Sequence, residues 1–109
     1  KAKLGEDHPS TLIGMGNLAI LYKNQGKYEK SEPLYVACLE KFKAKLGDDH
    51  PSTLASMSNL ASYYGDRKQL DKAKPLYSEA ITRGIRRNHP RVETWKRNYE
   101  IDIGTPWVA

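Results

Sequence analysis

Apolar positions recur along the chain at steps of three and four. Leu12, Met15, Leu18, Ala19 and Tyr22 fall on one stripe of a helix that the spacing predicts to begin near Pro9. Proline is tolerated in a first turn because its missing N–H would have no intrahelical partner there. Asn24-Gln25-Gly26-Lys27 ends that helix, with Gly26 free to enter the left-handed region that a tight helix-to-helix turn requires. A second stripe, Ser31, Leu34, Tyr35, Cys38, Leu39, Phe42 and Leu46, predicts a helix from about Tyr28 to Gly47, with Pro33 close to its first turn. Leu54, Met57, Leu60, Ala61 and Tyr64 make a third stripe, and Leu70, Ala73, Leu76, Tyr77, Ala80 and Ile81 a fourth. Val92, Trp95, Tyr99 and Ile103 mark a last helix over about Pro90 to Ile103, closed by Gly104-Thr105-Pro106.

The stripes belong to a repeat. The pattern LGxDHPSTLxxMxNLAxxY stands at Leu4 to Tyr22 and returns, 42 residues on, at Leu46 to Tyr64. A degenerate third copy opens at Asn88-His89-Pro90. The chain therefore reads as one all-α domain over 1–109: an α-solenoid of antiparallel helical hairpins with about five helices. Its units are 1–42, 43–84 and a partial 85–103, followed by a tail at 104–109. Lys1-Ala2-Lys3-Leu4-Gly5 matches the helix end before Gly47, so the expectation is a piece of a longer array. At the second hairpin turn Lys68 replaces Gly26, and Gly65 is expected to take over the bend. Gly84 costs its helix about 1 kcal/mol relative to alanine, which predicts an end between Gly84 and Asn88.

Met15-x-x-Leu18-Ala19-x-x-Tyr22 followed by Ser31-x-x-x-Tyr35 resembles the tetratricopeptide signature, and Met57, Leu60, Ala61, Tyr64, Ala73 and Tyr77 repeat it. The long period and the phrases LGEDHPSTL, NLAILY, QGKYEKSEPLY and LGDDHPSTL are similar to arrays of the kinesin light chain type. The resemblance implies a right-handed superhelix whose first helices line a concave groove for an extended peptide or a partner's helix. It implies a non-catalytic protein–protein interaction scaffold.

Off the core stripes, the first helices carry Ile13, Gly16, Asn17, Ile20, Lys23 and Asn24 in unit one. Unit two has Ala55, Ser58, Asn59, Ser62, Gly65 and Asp66, and unit three Thr94, Arg97, Asn98 and Ile101. An asparagine recurs in all three. Its amide donates and accepts at once, so it can read a peptide main chain independently of sequence. In the family that place contacts ligand. The expected peptide-binding set is Asn17, Ile20, Lys23, Asn24, Ser58, Asn59, Ser62, Arg97 and Asn98, and the expected ligand an acidic or polar segment.

The formal charge of +5 is concentrated late: Arg83, Arg86, Arg87, Arg91, Lys96 and Arg97 face only Glu93 in the same stretch. Such a cluster raises the local concentration of anions and offers nucleic acid or another polyanion as an alternative partner, though no recognised nucleic-acid module is present. His8, His50 and His89 stand one per unit, too far apart to converge on one metal ion, and Glu6, Asp7 and Asp49 beside them are expected to serve the helix starts. Cys38, the one cysteine, lies on a core stripe. No phosphate loop, serine elbow or zinc motif appears, so neither enzyme activity nor a cofactor is expected. No run of 18 apolar residues or basic-apolar leader appears either, and the expected location is cytoplasmic. The open C-terminal end is expected to be covered by Trp107 and Val108 or by a second chain.

Overall fold

The computed structural model describes residues 8–108. The helix end expected at Leu4-Gly5 and the roles of Glu6 and Asp7 lie outside them. Five helices are described: α1 (Pro9–Asn24), α2 (Tyr28–Leu46), α3 (Pro51–Asp66), α4 (Leu70–Arg86) and α5 (Val92–Ile103). Each packs against the next, and α3 also touches α5. The result is a flat helical repeat solenoid with extents of 50 × 33 × 18 Å. None of the described helices is long and apolar enough to cross a membrane.

The helix starts are made by the histidines themselves. His8 Nδ1 accepts the N–H of Ser10 and His50 Nδ1 that of Ser52, both at 3.1 Å. His89 does the same for Arg91 at 3.1 Å. A ring nitrogen thus satisfies one of the orphan donors at the starts of α1 and α3, the task usually given to Ser, Thr, Asp or Asn, while His89 fastens the turn that precedes α5, whose N-cap Arg91 makes no side-chain capping bond. The expectation that Asp49 serves the start of α3 is corrected: its carboxylate is held by Arg83 of α4. That ion pair ties the loop between units to the following unit's second helix.

Both hairpin turns bend at equivalent places. Gly26 has φ +75° and Lys68 φ +62°, so Lys68 itself takes the left-handed conformation and Gly65 does not bend the chain. Gly65 is buried inside α3 for another reason. A Cβ there would lie 2.3 Å from Oδ2 of Asp102, whose carboxylate crosses the bare backbone to accept a 2.6 Å hydrogen bond from Tyr77. Gly84 likewise lets α5 approach, since a Cβ would meet Val92 at 2.8 Å and Trp95 at 3.0 Å. The glycine that weakens α4 locally is what allows its packing against α5.

The expected stripes form the core, with three changes. Leu12, Ala19, Tyr35, Leu39, Leu54, Met57, Ala61, Tyr77, Ile81 and Trp95 are buried as expected. Tyr63 joins them at the centre of an aromatic cluster, with ring centroids 5.3 Å from Tyr35 and 5.4 Å from Tyr64. Both hydroxyls of the Tyr63-Tyr64 pair reach Glu32 of α2. Leu18 is 40% exposed and Leu21 51%, because no described helix covers that face of α1. Their equivalents Leu60 and Tyr63 are buried, Tyr63 against rings of the preceding α2. Leu70 is also partly exposed, at the first position of α4.

After Gly104, in the left-handed conformation at φ +94°, the tail turns back. Trp107 packs against the core cluster, and the Lys96 ammonium lies 5.6 Å from its ring centroid. Val108 and Ile101 stay exposed.

Candidate functional site

The recurrent asparagines of the first two units meet across one cleft. Its first wall is α1, with Leu12, Ile13, Gly16 and Asn17; the opposite wall is α3, with Ser52, Ala55, Ser56 and Asn59. Cys38 and Phe42 of α2 form the floor, and the cavity measures about 140 Å³. Gly16 borders it without a side chain, and a Cβ there would meet Cys38 Sγ at 3.6 Å, an ordinary contact distance. Asn17 is exposed and Asn59 half-buried, which leaves their amides at the rim with the exposed Ile13, while Leu12, Cys38 and Phe42 lie below.

The floor is chemically quiet. Cys38 donates to the Leu12 carbonyl at 3.3 Å and lies 3.7 Å from the Ser56 hydroxyl, whose own partner is the Ser52 carbonyl. Burial pushes the thiol pKa up, away from the thiolate that a nucleophile requires. Among the described residues, none that lines the cleft is charged.

The rest of the expected set spreads out. Ile20 is half-buried and packs against the core. Lys23 pairs with Asp66 at 2.9 Å, joining the ends of α1 and α3, so its charge is locally matched. Asn24 is exposed at the last position of α1, and Ser62 half-buried beside Tyr77. Ser58 is only 5% exposed and offers a ligand no surface. Arg97 is exposed and Asn98 half-buried on α5, both outside the cleft lining. Sequence reading missed the floor residues Cys38 and Phe42 and the wall residues Ser52 and Ser56. Cys38 and Phe42 lie on a core stripe, Ser52 in a first turn and Ser56 one turn later beside a core stripe, and only the packing of α1, α2 and α3 brings them to the cleft.

The basic cluster is also altered by folding. Arg83 is engaged by Asp49 and by Glu79, the latter at 3.0 Å, and Lys96 by Glu93 at 3.4 Å. Nearby Arg83, Arg86 and Arg87 hold the Asp49 carboxyl below its ordinary range. Arg86, Arg87, Arg91 and Arg97 remain exposed. Among the described residues, no group of three His, Cys, Asp or Glu side chains is placed to hold a metal ion.

The family model for the tetratricopeptide repeat matches residues 10–83. The chain belongs to the tetratricopeptide repeat family. The match covers α1 to α3 and most of α4, the elements that build the cleft. Tetratricopeptide repeats mediate protein–protein interactions and are typically non-catalytic scaffolds. No curated protein matches this tetratricopeptide chain.

Proposed function

We propose that this tetratricopeptide array is a scaffold that binds an extended segment of a partner protein in the cleft between α1 and α3. One observation carries the reading: Asn17 and Asn59, equivalent residues of successive units, stand on opposite walls of one open cleft. Each amide carries a donor and an acceptor, so the pair can hydrogen-bond the main chain of a peptide laid between them. Ile20, Lys23, Asn24, Ser62, Arg97 and Asn98 continue the contact surface along the first helices, and Ser58 does not take part. Within the family, the 42-residue period and the LGxDHPSTL phrases support reading the array as of the kinesin light chain type, and the proposal includes a cytoplasmic location.

The test is selection of a displayed random decapeptide library on the whole chain, followed by fluorescence polarisation with the recovered peptides. Substituting Asn17→Ala and Asn59→Ala together should weaken binding while far-UV circular dichroism stays unchanged. Full affinity in the folded double variant would remove the cleft from the function. Polyanion binding through Arg86, Arg87 and Arg91 is the competing outcome. It would appear as binding to generic RNA or DNA that falls steeply with salt.

A further inference from the structure

The molecule contains two junctions of the same design, and they are packed differently. Trp95 and Ser56 hold the same place, six residues after His89 and His50. At the second junction the Trp95 indole lies over Gly84 and is 2% exposed. At the first junction the sizes are reversed, with Phe42 in the place of Gly84 and the small Ser56 in the place of Trp95. The exchange does not close the space, and the cavity of about 140 Å³ remains between α1 and α3.

We infer that this cavity takes one apolar side chain, of leucine to phenylalanine size, from an uncharged stretch of the bound peptide. The inference rests on the peptide-binding reading and specifies its ligand. An apolar cavity of about 150 Å³ lined by Leu, Ile and Phe holds a benzene molecule, so by volume this cleft, whose base is apolar and whose upper walls carry Asn and Ser, suits a branched aliphatic or a single ring. Leu12, Phe42 and Cys38 form an apolar base that is almost wholly buried. With no cation among the described residues of the lining, a carboxylate pushed into the cleft would lose its hydration without gaining a partner there. The acidic ligand expected from the net charge therefore does not suit this part of the groove. Asn17 and Asn59 sit at the rim, where the amides flanking the inserted residue would come.

The same decapeptide selection tests the inference. Recovered peptides should share one Leu, Ile, Met or Phe within an uncharged stretch. Replacing that residue by alanine should weaken binding roughly 10- to 100-fold, and replacing it by aspartate should abolish binding. Gly16→Leu should fill the cavity and remove the preference. Gly16→Ala, whose Cβ meets Cys38 at ordinary contact distance, should weaken it partially while keeping the fold. Gly14→Leu, at a position with open space around it, should leave the preference intact. Peptides that depend on Asn17 and Asn59 but show no apolar position, or an acidic one, would overturn the side-chain inference and leave the groove reading standing. Failure to recover any peptide dependent on Asn17 and Asn59 would overturn both.

Discussion

Replacing Gly65 by alanine puts a methyl group where Asp102 lies. The new Cβ would stand 2.3 Å from Oδ2, 2.6 Å from Cγ and 2.9 Å from Cβ of that residue. Because the Asp102 Cβ itself is too close, turning the carboxylate away is not enough, and α5 must shift. Overpacking of this kind costs about 1–3 kcal/mol. Displacing the carboxylate also breaks the 2.6 Å bond from the Tyr77 hydroxyl, and a hydrogen bond to a charged group contributes about 1.5–3 kcal/mol. Against this, alanine in a helix gains up to about 1 kcal/mol over glycine. The net loss is about 1.5–5 kcal/mol, a fall in the thermal midpoint of roughly 6 °C or more. Thermal melts followed by circular dichroism give the midpoint, and tryptophan emission from Trp95 and Trp107 reports whether α5 has moved. Gly14→Ala is the control, since open space surrounds that position and only the propensity gain should appear. In a Tyr77→Phe background the hydrogen-bond part is already gone, and Gly65→Ala should cost less. A Gly65→Ala variant as stable as the parent, with unchanged emission, would refute the reasoning.

Lys68→Gly should stabilise by about 0.5–1 kcal/mol in urea unfolding, since it relieves the left-handed strain at φ +62° that Gly26 avoids in unit one. Thr53→Val should raise the urea midpoint, by about 1 kcal/mol, because the fully buried Thr53 hydroxyl has no hydrogen-bond partner. Burial is the main influence on His89 and lowers its pKa, so the folded state binds fewer protons than the unfolded chain. The contribution of His89 is then fully present above about pH 6.5 and lost as pH falls through the lower folded value. Melts from pH 8 to 5 should show that loss, and it should be smaller in His89→Asn, whose amide can cap without titrating. Burial, then Asp66 and Tyr63, push Tyr35 up to about 12, and burial with Glu32 pushes Tyr64 up to about 12. The stability they carry is present below about pH 10 and lost as pH rises toward 12. Ultraviolet titration should show these two phenols, together with Tyr77, which burial and Asp102 push up further still, ionising after the rest, and a uniform transition near pH 10 in the folded protein would contradict their burial.

Much of this architecture is written in local pattern. Steps of three and four place Leu12, Ala19, Tyr35, Leu54, Tyr77 and Trp95 on buried faces because a helix has only one way to bring such positions together. Pro9, Gly26, Gly47 and Gly104 punctuate the helices, and the recurrence of LGxDHPSTL shows that the units are copies that must stack. The recurring asparagine could be singled out for the same reason, since a polar residue kept at one place in every unit stands out against a changing background.

What pattern could not supply are facts about residues distant in the chain. Histidine is not a habitual cap, so the bonds of His8, His50 and His89 to the second amide beyond them emerge only from backbone geometry. Gly65 and Gly84 read as a bend and a weakness until α5 is laid against them. Arg83 counts as a free cation in sequence and is neutralised by Asp49, 34 residues earlier. Asn17 and Asn59 share a cleft, and Ser58 beside Asn59 does not face it, because neighbouring residues on a helix point about 100° apart and the packing of α2 and α3 selects which of them reaches the opening. The repeat thus determines the helices and their order, while the size of side chains meeting across each junction decides that Trp95 covers Gly84 at one and that a cleft remains above Phe42 at the other.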